Sequence, residues 1–188
     1  MSDTKDKIVK AALDVFRLYS VQRTTMTDIA NEAGLSRQTL YSTLGSKEEV
    51  VAEVIGYAEG LGLKAVKQRL VECKSLSEQL DVYFEEMVVI PFEQIQKDPC
   101  AMGIWNNSDI SGHRAVKDAK QANFQFLSEL LLPYTNKLGE VGQSPAQLAH
   151  FVIFVSRSLK VSPITREALD SHLPTLKTTV LTMALGRG

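Results

Sequence analysis

Polar side chains crowd into one short stretch, "SRQTLYS" at residues 36–42. Arginine can donate two hydrogen bonds to guanine O6 and N7, and glutamine can pair with adenine N6 and N7. Serine, threonine, tyrosine and lysine side chains, like backbone N–H groups at helix starts, suit phosphate oxygens. Such residues are poor material for a core, so the stretch predicts contact with DNA.

The spacing of the leucines decides which side chains would face the DNA. If Leu35, Leu40 and Leu44 point inward, the helical period places Arg37, Gln38, Tyr41 and Ser42 outward. Arg37 and Gln38 then occupy the first turn, which is the end of a recognition helix that reaches base edges. An ordinary solvated helical hairpin is the alternative.

Three predicted helices position this stretch within about 45 residues. The first spans about 4–19, and the second begins near Thr27 as N-cap and ends before Gly34, which suits a left-handed C-terminal position. The third starts at the N-cap Ser36 and ends near Gly45. Their size and spacing predict a helix-turn-helix domain.

The remaining sequence is also helical, with apolar residues three or four apart. A long helix opens with Ser46 and Glu49 as a capping box, and "SPAQ" at 144–147 opens another. Prolines 91, 133 and 174 should kink or split their helices. We predict an all-α fold of about nine helices, with a DNA-binding domain at 1–46 and a larger helical domain at 47–188. Further amphipathic segments lie at about 76–97, 113–138, 145–161 and 166–185.

Net charge and residue content limit the classes of protein to which the chain can belong. The formal net charge is −1, so any DNA contact must come from local placement of a few donors. The three histidines are scattered, and "SDISGH" at 108–113 gathers serine, aspartate and histidine without implying triad geometry. We therefore expect no enzyme, metal site or cofactor. Without a signal peptide or an apolar run long enough to cross a membrane, we expect a cytoplasmic protein with no membrane contact.

The stretch "TTMTDIANEAGLSRQTLYSTLGSKEEVVAEVI" at 24–55 closely resembles the helix-turn-helix signature of the TetR family of bacterial transcriptional regulators. The resemblance implies a homodimer that binds an inverted-repeat operator, usually as a repressor released by a small ligand. It departs from the family pattern at Gln38, where a small residue is common, and at Thr43 and Leu44, where aromatic residues are common. The DNA contacts that it implies, together with the N-cap of the third helix, are Thr27, Ser36, Arg37, Gln38, Thr39, Tyr41, Ser42 and Lys47.

Two further surfaces are expected in the larger domain. In the family the last two helices form a four-helix dimer interface, although the same apolar residues would also suit a subunit core. The interface candidates are Leu148, Phe151, Val152, Val155, Leu159, Leu173, Leu176, Val180 and Met183. An apolar ligand pocket, or alternatively plain core, is predicted from Tyr83, Phe84, Met87, Phe92, Met102, Trp105, Phe124 and Tyr134.

The leading reading is thus a ligand-released DNA-binding repressor. A regulator controlled by a protein partner or by its own concentration is the first alternative, and a small helical enzyme using the 83–134 region is a remote one. Gly56, Gly60 and Gly62 weaken the long helix. One explanation is that Gly56 and Gly60, four residues apart, allow another helix to approach closely. The other is that the helix bends at these glycines.

Overall fold

A computed structural model of the chain describes residues 3–105, 112–161 and 165–186. Within them the fold is all-α, as predicted, and eleven α-helices form nine continuous helical segments. Neither the segment 108–111 nor the side chain of Met102 lies among the described parts. The helices are α1 Asp3–Arg23, α2 Met26–Glu32, α3 Arg37–Leu44, α4 Lys47–Arg69, α5 Leu76–Phe84, α6 Ile90–Lys97, α7 Pro99–Trp105, α8 Arg114–Leu131, α9 Thr135–Glu140, α10 Pro145–Val161 and α11 Arg166–Leu185.

The chain divides into two compact units. Unit 1 comprises residues 1–61 and 93–119, and unit 2 comprises residues 62–92 and 120–188. Unit 1 is therefore larger than the predicted domain 1–46, because α7 packs on α1 and the first part of α4 joins the same core. Whether DNA binding and regulation divide at residue 46 stays a prediction.

Unit 1 has its own apolar core beneath the predicted DNA contacts. Phe16 of α1, Ile29 of α2 and Leu40 of α3 are each 0% exposed and belong to one cluster. The regular part of α1 ends where the sequence predicts, because Ser20 has φ 66° and ψ 159°. That backbone region is strained for any residue but glycine. Thr24 helps to hold the break by donating its hydroxyl to the Ser20 carbonyl at 2.7 Å.

Unit 2 has a second apolar core, to which α5, α8, α10 and α11 contribute. The predicted capping box at the start of α10 is present: the Ser144 Oγ accepts from the Gln147 N–H at 3.2 Å, and the Gln147 Oε1 accepts from the Ser144 N–H at 2.9 Å. The spans 145–161 and 166–185 are as predicted. Local caps and apolar spacing thus place these helices correctly.

The three prolines affect their helices in different ways. Pro91 follows a π-helical turn, Glu85–Val89, which separates α5 from α6 and is called the π turn below. Pro133 lies in a 3₁₀ turn, Leu132–Tyr134, between α8 and α9. Pro174 stays inside α11, which continues as a helix on both sides of it. The predicted kink or split is therefore confirmed at Pro91 and at Pro133, where a turn that is not α-helical separates two α-helices.

The glycines of α4 differ in what surrounds them. A Cβ at Gly56 would lie 3.0 Å from the backbone oxygen of Ala115, so glycine there admits a close neighbour. No described atom lies within 4 Å of the corresponding point at Gly60. The close-approach explanation is therefore supported at Gly56 and wrong at Gly60, whose side faces open space.

Alanine substitutions at these two positions should have opposite effects. Gly60→Ala should raise the free energy of unfolding by about 1 kcal/mol, because alanine is the better helix former and meets no neighbour. Gly56→Ala should lower it, because the new methyl group presses on a backbone carbonyl. Thermal denaturation of both variants beside the wild type measures the difference, and a Gly60→Ala protein that melts lower would contradict it.

Candidate nucleic-acid interface

The turn between α2 and α3 sets the direction of the predicted recognition helix. Gly34 has φ +63°, its N–H donates to the Asn31 carbonyl at 3.0 Å, and the Leu35 N–H donates to the Ala30 carbonyl at 2.9 Å. These two bonds form a Schellman motif, which requires a left-handed residue after the helix. Glycine at position 34 therefore fixes how the chain leaves α2.

The start of α2 differs from the prediction by two residues. Thr25, not Thr27, is the N-cap, and it forms a capping box with Asp28. The Asp28 carboxylate accepts from the Thr25 N–H at 2.8 Å and from the Thr25 hydroxyl at 2.7 Å. Thr27 consequently lies inside the first turn, half-buried, and its predicted role as a cap is wrong.

The N-cap of α3 and its apolar face agree with the prediction. The Ser36 Oγ accepts from the Thr39 N–H at 3.0 Å. Leu40 is 0% exposed and Leu44 is 6% exposed, while Leu35 packs partly against the same core. These contacts anchor one side of α3, so the opposite side is held at the surface.

That opposite side carries the polar residues. Arg37, Gln38, Tyr41 and Ser42 are exposed, and they are called the polar face of α3 below. Arg37 forms no ion pair with the described residues. Its guanidinium and the Gln38 amide are therefore available to a ligand. Of the other predicted contacts, Ser36 is exposed, and Thr27, Thr39 and Lys47 are half-buried.

Two carboxylates already occupy the helix starts at which phosphates were expected. The hydrogen bond from the Thr25 backbone is the main reason that the pKa of Asp28 is lowered, with the Thr25 hydroxyl and the charge of Lys47 adding to it. The backbone N–H and the Ser46 hydroxyl likewise lower the pKa of Glu48 at the start of α4. We therefore expect any phosphate contact in this region to come mainly from side chains.

The Asp28 interaction should make the stability of unit 1 depend on pH. Because the folded state lowers the pKa of Asp28, the carboxylate stabilises the fold above the ordinary aspartate pKa of about 3.9, and this contribution is lost as the pH falls through the lower folded value. The wild type should melt higher than Asp28→Asn at pH 7, and the difference should shrink in acid. Melting curves from neutral to acid pH test this, with Asp14→Asn as an exposed control.

The predicted dimer residues separate into two groups. Leu148, Val152, Leu159, Leu176 and Val180 are buried within the single subunit, so their side chains belong to its core. Val155, Leu173 and Met183 are half-buried, and Phe151 is 46% exposed. Phe154, which sequence reasoning missed, is 73% exposed. The apolar period of α10 could not distinguish these two sides, because both are apolar.

The predicted ligand residues do not form one group. Tyr83, Phe84, Met87 and Phe92 are buried in the core of unit 2, and Phe124 and Tyr134 pack against that core. Trp105 packs against the core of unit 1 instead. Sequence reasoning also missed Asn123, which is buried and accepts a hydrogen bond from the Tyr83 hydroxyl at 3.2 Å. The ligand site stays a prediction.

Comparisons with known proteins agree with this geometry. Residues 8–54 match the family described as "Bacterial regulatory proteins, tetR family". The uncharacterized HTH-type transcriptional regulator YezE of Bacillus subtilis (strain 168) is 33% identical over 82 residues, which are 43% of this chain and 42% of that protein. The match therefore spans less than half the length of this curated relative. The resemblance of the first segment to the family is confirmed.

Solved structures share the whole fold at low identity. The fatty acid degradation regulator FadR from Bacillus halodurans has 15% identity and a TM-score of 0.69, with 98% of this chain and 96% of that chain covered. AibR, solved in complex with isovaleryl coenzyme A and operator DNA, has 15% identity and a TM-score of 0.59, with 93% and 98% covered. At this identity the likeness shows the fold alone.

Proposed function

We propose that this protein, whose residues 8–54 match the TetR family of bacterial regulatory proteins, is a homodimeric repressor that a small molecule releases from its operator. The observation that carries the proposal is the polar face of α3. Arg37 and Gln38 are exposed in the first helical turn, and the buried Leu40 and Leu44 hold the helix from behind. A rigid helix with base-reading groups at its N-terminal end suits entry into a major groove.

The surface of α10 and α11 supports the dimer. Phe151 and Phe154 expose aromatic rings on α10. On α11, a groove of about 440 Å³ is lined by Pro174, Thr175, Thr178, Thr179, Thr182 and Met183. Exposed aromatic side chains are typical of protein interfaces. A twofold dimer would also present two copies of α3 to the two halves of an inverted repeat.

A small-molecule effector is supported less directly. The core of unit 2 holds a buried polar pair, Tyr83 and Asn123, among apolar side chains. Apolar surroundings with few polar groups are usual in ligand sites. Since AibR was solved with isovaleryl coenzyme A, acyl-coenzyme A thioesters are the first ligands to test. Control by a partner protein is the outcome if no ligand weakens DNA binding.

DNA binding is tested by selecting operators from random duplexes and measuring affinity by fluorescence anisotropy. We expect an inverted repeat with half-sites about one helical turn apart. Arg37→Ala and Gln38→Ala should each cost about 1–3 kcal/mol on the selected operator and much less on a scrambled duplex, because each loses a base contact.

Lys47→Ala and Tyr41→Phe should instead weaken binding to both duplexes equally, since phosphate contacts carry no sequence information. Lys10→Ala, an exposed lysine of α1, serves as the charge-matched control for Lys47→Ala. Equal losses on operator and scrambled DNA for Arg37→Ala would contradict its base-reading role.

The dimer is tested with a charge placed on the exposed side of α10. Phe154→Glu should give monomers, because a carboxylate would have to be buried without a partner at the interface. Light scattering across a concentration series measures the mass. Val141→Glu is a matched control, since Val141 is also a large exposed apolar residue, at 54% exposure, but lies at the end of α9.

The Phe154→Glu variant should melt close to the wild type at low concentration, because the side chain is exposed within the subunit. A dimer that persists in this variant would place the interface elsewhere. Val180 is unsuitable for the test, because it is 0% exposed and a charge there would unfold the subunit.

A further inference from the structure

The π turn is an irregularity inside an otherwise continuous helix of unit 2. The Ile90 N–H donates to the Glu85 carbonyl, five residues back, where an α-helix would use Glu86. π turns of this kind are rare and recur at functional sites. Met87 and Val88 of the turn are buried, so the irregularity lies against the core.

Pro91 explains why the π register competes with the α register here. In a regular α-helix the N–H of residue 91 would donate to the Met87 carbonyl, but proline has no N–H and its ring crowds that carbonyl. The missing N–H costs both registers alike, since residue 91 would donate to the Glu86 carbonyl in the π register, so it is the ring that disfavours the α register. In both registers the Ile90 N–H has a partner, Glu85 in one and Glu86 in the other.

α4 contacts the π turn at two points on one of its faces. A Cβ at Gly62 would lie 3.0 Å from the Met87 Sδ and 3.5 Å from the Glu86 carbonyl oxygen, so the α4 backbone lies directly on the turn. Seven residues further on, the Arg69 Nη1 lies 2.6 Å from the Glu86 Oε1. Both contacts depend on where the π register places residues 86 and 87.

The same turn also packs against α10, the helix that exposes Phe151 and Phe154. It is therefore an element with two candidate registers that touches both α4 and α10. α4 is one continuous helix whose first residue, Lys47, lies at the candidate nucleic-acid interface. A two-state element whose equilibrium both sites bias is a physical basis for energetic coupling between them.

We propose that the π turn is a two-register switch: the π register holds α4 through Gly62 and Arg69, and conversion to the α register releases it. Conversion to the α register would rotate the helix that follows the turn relative to the helix before it. The rotation is about 100°, the angle that one residue contributes in an α-helix. It would carry Glu86 and Met87 away from α4. The role in regulation rests on the proposed function, in which the ligand-free protein binds DNA.

Pro91→Ala tests the switch, because alanine removes the ring that crowds the Met87 carbonyl in the α register. Its crystal structure should show the Ile90 N–H bonded to the Glu86 carbonyl. Amide hydrogen exchange across 62–69 should become about fivefold faster or more, and affinity for the selected operator should fall by a similar factor, as expected for a coupling of at least about 1 kcal/mol. Pro133→Ala, in the 3₁₀ turn of the same unit, is the matched control and should change neither.

Gly62→Ala tests the same coupling by a change in α4 instead of in the π turn. Its methyl group would press on Met87, so exchange across 85–90 should accelerate, since coupling between two sites is reciprocal. Unchanged exchange across 62–69 in Pro91→Ala together with unchanged exchange across 85–90 in Gly62→Ala would overturn the switch. If the wild type selects no operator, the proposed function fails, whereas the exchange measurements still decide whether the registers are coupled.

Discussion

The polar face of α3 depends on one backbone constraint, the left-handed turn at Gly34. The two hydrogen bonds that close this turn end α2 and aim the chain at the N-cap Ser36. Leu40 and Leu44 then bury one side of α3, which leaves Arg37 and Gln38 outside. A side chain with a Cβ at position 34 would be strained, and α3 would start in another direction. The positions of the residues proposed to read bases are therefore set by the turn and the core rather than by the polar residues themselves.

The charge distribution limits how such an interface works. The whole chain has a formal net charge of −1, and the carboxylates of Asp28 and Glu48 lie at helix starts near Lys47. Non-specific affinity for DNA arises mostly from neutralised phosphates, so it should be weak here. In the proposed function, binding would then depend more on base contacts and on two half-sites engaged together. A single subunit would hold DNA poorly, so the proposed dimer would contribute to recognition.

Local signals were enough to predict most of the fold. The N-cap Ser36, the capping box of Ser144 and the apolar spacing of α10 and α11 each involve residues within one or two turns, so their pattern is visible in the sequence. The predicted cap of α2 is Thr27, whereas Asp28, three residues after Thr25, completes the capping box that makes Thr25 the N-cap. Which apolar side of α10 is buried, and that Trp105 joins a different core from Tyr83, depend on tertiary packing that periodicity does not contain.

The prolines show that the rule by which proline disrupts a helix does not determine which structure results. Each removes a helical N–H, yet the outcome is a π turn at Pro91, a 3₁₀ turn at Pro133 and a continuous helix at Pro174. Pro174 is exposed, so the helix around it can adjust toward solvent. Pro91 follows a turn that packs against α10 and lies close to Gly62 of α4. The sequence thus predicts where a helix is weakened, and the neighbours that touch the weak point select the form that the break takes.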